Sequence, residues 1–223
     1  MAAYFVTGSS TDIGKTFVTA GLIRALRARG RAVAALKPVV SGFDPAAPEG
    51  SDPVVLLEAL GRPLTAETLQ KIAPWRFRAP LSPDMASELE QREIHLAEVA
   101  SFCQAALAGA PDVLLIEGAG GVMVPLNGRE TTLDLMAALN LPLIFVAGSY
   151  LGAISHALTG LEAVRARGLQ VRSIVVNETP GSTVRLEATG ETLSRFVAAP
   201  LLALRFNDPS ANEATFAALA AQL

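Results

Sequence analysis

The chain opens on a short apolar run, Tyr4-Phe5-Val6-Thr7, which enters a glycine-flanked loop and leaves it through Gly14-Lys15-Thr16 into an apolar-periodic stretch. A strand, a loop of this kind and a helix in direct succession build a phosphate cradle. Backbone N–H groups of the loop and the positive end of the new helix converge on one point. Lys15 is placed to reach the outer phosphates of a nucleotide, and the Thr16 hydroxyl to ligate Mg²⁺. The usual spacing leaves four residues between the flanking glycines, whereas five separate Gly8 from Gly14 here. Such a unit commits the chain to an α/β architecture.

The remaining sequence follows the same alternation. Residues 33–36, 113–116, 143–147, 171–176 and 201–204 read as strands, and 17–29, 54–60, 94–107, 133–139, 152–167, 184–196 and 211–223 as helices. Residues 42–53 read as a loop, and 74–83, with Trp75, Phe77 and three prolines, as an irregular surface loop. Hydrophobic residues make up 51% of the chain and aromatics only 5%, so the core is aliphatic. That is the composition of a parallel sheet covered on both sides. The expected fold is a mostly parallel central sheet with helices on both faces, in one P-loop NTPase-like domain over residues 1–223.

A net charge of −3 without a Lys/Arg run gives no electrostatic footprint for nucleic acid. No apolar run reaches the length of a bilayer, and the N-terminus enters a strand without a basic segment or signal core, so neither a membrane nor export is expected. The single cysteine, Cys103, excludes an intrachain disulfide; it sits in a helical pattern and reads as a buried structural thiol, consistent with a cytoplasmic protein.

Ligands of parallel sheets bind beyond the carboxyl ends of the strands, and Lys37, Glu117 and Asn177 all fall there. Mg²⁺ takes oxygen ligands, commonly one or two carboxylates, which makes Thr16, Asp52 and Glu117 a candidate set. Asp52, in Gly50-Ser51-Asp52-Pro53, reads equally well as the cap of the next helix. Lys37 is either an exposed strand-end lysine or a group stabilising charge on a transferred phosphoryl. Gly118-Ala119-Gly120-Gly121 lets backbone approach an anion closely. His95 and His156 form no zinc pattern, and no Gly-x-Ser-x-Gly elbow is present.

Taken in order, several segments resemble the dethiobiotin synthetase family across nearly the whole chain. They are Tyr4 to Gly8 with Thr11-Asp12-Ile13-Gly14-Lys15-Thr16, Lys37-Pro38-Val39 with Ser41-Gly42, Ser51-Asp52, Ala79-Pro80-Leu81-Ser82-Pro83, Glu117 to Gly121, Leu151-Gly152 through His156, and Val176-Asn177-Glu178. The family's phosphate loop carries the same extra residue. The resemblance implies a homodimer that uses Mg-ATP, CO₂ and 7,8-diaminopelargonate. A carbamate of the substrate would take the γ-phosphoryl group, and the second amine would close the ring.

Position by position, the resemblance implies catalytic roles for Lys15 and Lys37 and metal ligation by Thr16, Asp52 and Glu117. Nucleotide contacts are implied for Asp12, Ile13, Gly14, Lys15, Thr16, Phe17, Asp52, Glu117, Gly118, Ala119, Gly120, Asn177 and Glu178, with Asn177 at the adenine edge. Substrate contacts are implied for Thr11, Ser41, Gly121, Gly152 and Ser155, the 152–156 segment lying near the subunit contact. Ser155 and Thr189 replace an Asn and a Tyr of the family pattern, both concerned with the substrate's distant carboxylate. Two other readings compete. One is an amidoligase of the cobyrinate type, normally joined to a glutamine-hydrolysing domain. The other is a nucleotide-switch ATPase of the partitioning class, which places a signature lysine where this chain has Gly8-Ser9.

Overall fold

The computed structural model describes residues 2–109 and 111–223. The first strand, β1 (Ala2–Gly8), leads through the loop to α1 (Lys15–Ala28) and then to β2 (Val33–Leu36) and β3 (Val39–Val40). There follow α2 (Asp52–Leu60), α3 (Ala66–Ile72), β4 (Trp75–Arg76), α4 (Pro83–Leu89), α5 (Leu96–Ala108) and β5 (Val113–Glu117). The chain continues with α6 (Thr132–Leu139), β6 (Leu143–Gly148), α7 (Ala153–Ala166), β7 (Val171–Asn177), α8 (Leu186–Leu193), β8 (Leu201–Leu204) and α9 (Pro209–Ala221).

The main sheet has six strands in the order β2-β5-β1-β6-β7-β8, and every pair in it is parallel. Its central strands are apolar runs, and β5 and β6 are buried along their whole length, as strands covered on both faces must be. Right-handed crossovers sort the helices by direction of travel along the sheet: α1 packs with α2 and α9 on one side, while α5 packs with α6, and α7 with α8, on the other. The mostly parallel sheet with helices on both faces is therefore as the sequence predicts.

Register determines what meets at the carboxyl edge. Leu36 pairs with Ile116, so the next residues, Lys37 and Glu117, leave the sheet side by side. Val6 pairs with Glu117, and Gly8 with Val146, which brings the loop after β1 alongside them.

The 74–83 stretch departs from the sequence reading. Trp75 and Arg76 pair in parallel with Val39 and Val40 as a two-stranded sheet, extended by bonds from Phe77 N to Val40 O (2.8 Å) and Gly42 N to Ala79 O (3.0 Å). Phe77 is fully buried, not at the surface. Its ring carries the Arg92 guanidinium at 4.8 Å from the centroid. This small sheet fixes the path of Val39 to Gly42 and so delivers Ser41 to the site. Helix α8 is also shorter than the 184–196 expectation, and α3 and α4 add two short helices on either side of β4.

Candidate active site

The phosphate loop begins as Ser9 N donates to Val146 O (2.9 Å) and ends with two left-handed residues, Asp12 (φ 56°) and Gly14 (φ 88°). The additional loop residue is absorbed by turning Ile13 inward, where its side chain packs against Gly8 and is 5% exposed. Gly14 is required twice over. Its φ suits glycine, and a Cβ there would collide with the Asn177 side-chain amide. The left-handed Gly120 lies under the same constraint, since a Cβ would strike Val124.

Behind the loop lies a buried charge cluster. The Lys37 ammonium, 3% exposed, is 2.7 Å from Glu117 Oε1 and 2.7 Å from Asp52 Oδ2, and donates to Gly118 O at 3.1 Å. Thr16 Oγ1 lies 2.7 Å from both Asp52 Oδ1 and Glu117 Oε1. One hydroxyl proton serves only one of them at a time. Lys15 folds back to donate to Ser10 O at 2.8 Å.

The environment tunes these groups differently. Burial pulls Lys15 down to about 8, assisted by the positive Lys37 nearby and opposed by Glu117, Asp52 and Asp12. Burial acts on Lys37 in the same direction, but the Glu117 and Asp52 carboxylates outweigh it and hold the ammonium above its ordinary value. Asp52 resists burial in turn and is held below the usual carboxylate range by Lys37, with Thr16 and Lys15 contributing.

These residues line a cavity of about 430 Å³ that gathers Thr11, Asp12, Gly14, Lys15, Thr16, Lys37, Ser41, Asp52, Ala119 and Gly120. A second cavity of about 370 Å³ shares Thr11, Asp12, Ser41, Ala119 and Gly120 and is closed by Pro80 to Pro83 and Val124. Sequence reading assigned no role to that wall. The Ala79 to Pro83 segment was its only signal, and a run without periodicity carries no burial pattern.

The donor set fits Mg²⁺. A hydroxyl and two carboxylates converge, and Glu117 Oε2 is buried with no hydrogen-bond partner among the described residues, an acceptor short of a cation. Among the described residues no group of three His, Cys, Asp or Glu side chains is gathered for a metal, so the remaining positions would fall to water and phosphate oxygens.

The profile of the AAA domain family matches residues 2–214. The ATP-dependent dethiobiotin synthetase BioD of Methylobacterium nodulans is 48% identical over 200 residues, covering 87% of this chain and 89% of its own. That of Acidiphilium cryptum is 45% identical over 200 residues, covering 89% and 90%. The chain belongs to the ATP-dependent dethiobiotin synthetase family. It is an enzyme of that ligase family. Among solved structures, a ParA family ATPase from Chlorobium tepidum matches with a TM-score of 0.57 at 12% identity, over 100% of this chain and 99% of its own. The septum site-determining protein MinD of Pyrococcus horikoshii matches with a TM-score of 0.54 at 19% identity, over 98% and 94%. At such identities the likeness is one of fold.

The remaining dethiobiotin synthetase positions lie around the cavity rather than in it. Gly118 and Gly121 back the site, Gly121 against Ser9 and Ser10. Asn177 Nδ2 donates to Ile13 O at 3.1 Å, and Glu178 Oε2 accepts from Phe206 N at 2.8 Å. Phe17 stacks edge-on against Phe216, with centroids 5.7 Å apart, and lines a separate groove with Asn207 and Glu213. Gly152 and Ser155 line neither cavity; they flank His156, whose Nδ1 is 2.9 Å from the Tyr150 hydroxyl. Thr189 is fully buried, with its hydroxyl on Arg185 O at 3.2 Å.

Proposed function

We propose that this cavity binds Mg-ATP and, with the adjoining one, carries out the closure of 7,8-diaminopelargonate with CO₂ to dethiobiotin in biotin synthesis. Thr16, Asp52 and Glu117 would hold Mg²⁺, which supplies positive charge to the β- and γ-phosphate oxygens when bound. The loop N–H groups and the start of α1 cradle the phosphates. Burial lowers Lys15 to about 8 in the free protein, and phosphate oxygens facing it would raise it again. Lys37, which lines the same cavity, would stabilise the charge that builds on the phosphoryl and carbamate oxygens.

The chemistry proceeds in three steps. One substrate amine adds to CO₂ and loses a proton, giving a carbamate. A carbamate oxygen attacks the γ-phosphorus, and ADP leaves. The second amine attacks the carbamoyl carbon, phosphate leaves, the new nitrogen gives up a proton and the ring closes. Thr11 and Ser41, shared by the two cavities, would orient the amines. The Gly152–Ser155 segment reaches substrate only from a second copy of the chain, so the reading includes a homodimer working in the cytoplasm.

One observation carries the reading: strand register sets Lys37 beside Glu117, and the start of α2 brings Asp52 to the same ammonium, in the same cavity as Lys15. The test is incubation with diaminopelargonate, bicarbonate, ATP and Mg²⁺. Dethiobiotin should appear by mass, with one ADP per product. ATP consumption without that product would overturn it.

A further inference from the structure

Resting on the nucleotide-binding reading above, we propose that Asn177 and Glu178 form a strap that holds the phosphate loop and the 205–208 turn in fixed relation. Asn177 is a positioning residue for the loop as well as a contact for the base.

The loop has reason to need an outside hold. Ile13 lies between two residues in the left-handed region, Asp12 at φ 56° and Gly14 at φ 88°. Asp12 pays for that conformation with steric strain. The Ile13 carbonyl accepts its bond from Asn177 Nδ2 at 3.1 Å, across 164 positions of sequence. The same amide lies so close to the Gly14 Cα that a methyl group there would collide with it. Asn177 thus touches the residue from which α1 starts, and α1 begins where the phosphate-facing N–H groups converge.

The neighbouring residue holds the other side. Glu178 N donates to Leu204 O at 2.9 Å, and its Oε2 accepts from Phe206 N at 2.8 Å. Phe206 precedes Asn207, which is left-handed at φ 54° and lines the groove beside Phe17. Two adjacent residues at the end of β7 therefore tie together loops that lie nearly the whole chain apart. The Asn177 Oδ1 accepts no hydrogen bond from the described residues, so one end of the amide is committed to the loop while the other stays open to a donor on a base.

The test compares Mg²⁺-ATP with inorganic tripolyphosphate plus Mg²⁺, which has no base, by titration calorimetry. Asn177→Ala should weaken tripolyphosphate about fivefold, the size of one hydrogen bond, and ATP at least as much. Glu178→Ala should weaken ATP while leaving tripolyphosphate within about twofold. Asn177→Leu keeps the size but loses the donor without adding charge beside the phosphates. It repeats the tripolyphosphate loss if Asn177→Ala fails to fold, and melting of the ligand-free variants separates folding from binding. Unchanged tripolyphosphate affinity in the folded Asn177 variants would leave only base contact and overturn the strap, as would equal loss of both ligands in both variants. Failure of the unaltered protein to bind either ligand would overturn the nucleotide reading itself, and the strap with it.

Discussion

The two halves of the sheet's carboxyl edge are built from the same kind of strand, yet they hold opposite kinds of chemistry. On the β2–β5–β1 side, Lys37 and Glu117 are 3% and 0% exposed and locked in an ion pair, with Thr16 and Asp52 closing the cluster. On the β6–β7–β8 side the bonds are neutral or exposed: Asn177 to Ile13, Glu178 to Phe206, Tyr150 to His156. In the buried cluster each charge offsets part of the desolvation of the next, and Glu117 Oε2 is still left without a partner among the described residues. The neutral half positions loops and leaves its polar groups facing outward. On the proposed reading, the first half holds the charged groups of the reaction and the second positions the loops around them.

The sharpest break in that comparison is Lys37→Met. It leaves Glu117 buried without its counter-charge, which should cost about 3 kcal/mol of unfolding free energy. It also removes charge stabilisation at the phosphoryl group, so turnover should fall by about 10³-fold or more. Urea unfolding and dethiobiotin formation check the two effects separately. Adding Asp52→Asn should restore part of the stability and none of the activity. Near-normal turnover in Lys37→Met would contradict the role given to it. Next in size, Glu117→Gln should raise the Mg²⁺ needed for half-maximal turnover by about tenfold or more. Asp52→Asn, at a half-exposed position, should do so by less. Equal and negligible shifts would show that the metal is held elsewhere.

On the other half, Ser155→Ala should raise the KM for diaminopelargonate about fivefold, one hydrogen bond's worth, and leave the KM for ATP unchanged. Since Ser155 lines neither cavity of its own chain, such an effect requires a second copy, and sedimentation should find a dimer at assay concentration. A monomer with an unaltered KM would confine the active site to the first half.

The contrast also governs what could be read in advance. Lys37 and Glu117 were legible because they stand at the ends of apolar strands, which parallel pairing delivers to one edge, and Lys15 because it opens the helix after the glycine-flanked loop. At Asp52 the capping reading fails: Ser51 holds the cap position of α2, and the Asp52 carboxylate turns instead to Lys37 and Thr16, where a metal ligand would have to sit. What stayed hidden was set by tertiary pairing. Strands of two residues such as β3 and β4 have no period to detect, and prolines near Trp75 and Phe77 imitate a surface loop. Helix α3 did carry a signal, the reciprocal Thr65–Thr68 cap, but its helix is only seven residues long. Ile13's inward turn and Asn177's bond to it depend on a contact between distant parts of the chain, which no local pattern encodes.

A smaller effect tests the frame behind the glycine turn. Asp134 accepts from Thr131 N and from the Thr131 hydroxyl, both at 2.8 Å, and faces Arg167 at 2.9 Å. The Thr131 backbone N–H, ahead of the hydroxyl and the guanidinium, holds its carboxyl below the usual range. A depressed value stabilises the fold above the unfolded pKa and stops doing so as pH falls through the folded one. Asp134→Ala should therefore cost about 1 kcal/mol at neutral pH, and the difference from the unaltered protein should shrink below about pH 4. A difference that stays constant into acid would assign the loss to packing instead.

The smallest expected effect concerns the thiol beneath the charged half. Cys103 lies on α5, which packs against β5 and α6, and is fully buried. Burial pushes its thiol up to about 12, so the thiolate that would attack an electrophile is scarce at neutral pH. Iodoacetamide at pH 8 should leave the folded protein unlabelled over a period in which urea-unfolded protein reacts fully. Cys103→Ser should keep turnover within about twofold, and burying a hydroxyl should cost about 1 kcal/mol of stability. Rapid labelling of the folded enzyme, or a folded serine variant without activity, would bring a nucleophile into a half of the molecule to which the proposed reaction assigns only lysines, carboxylates and one hydroxyl.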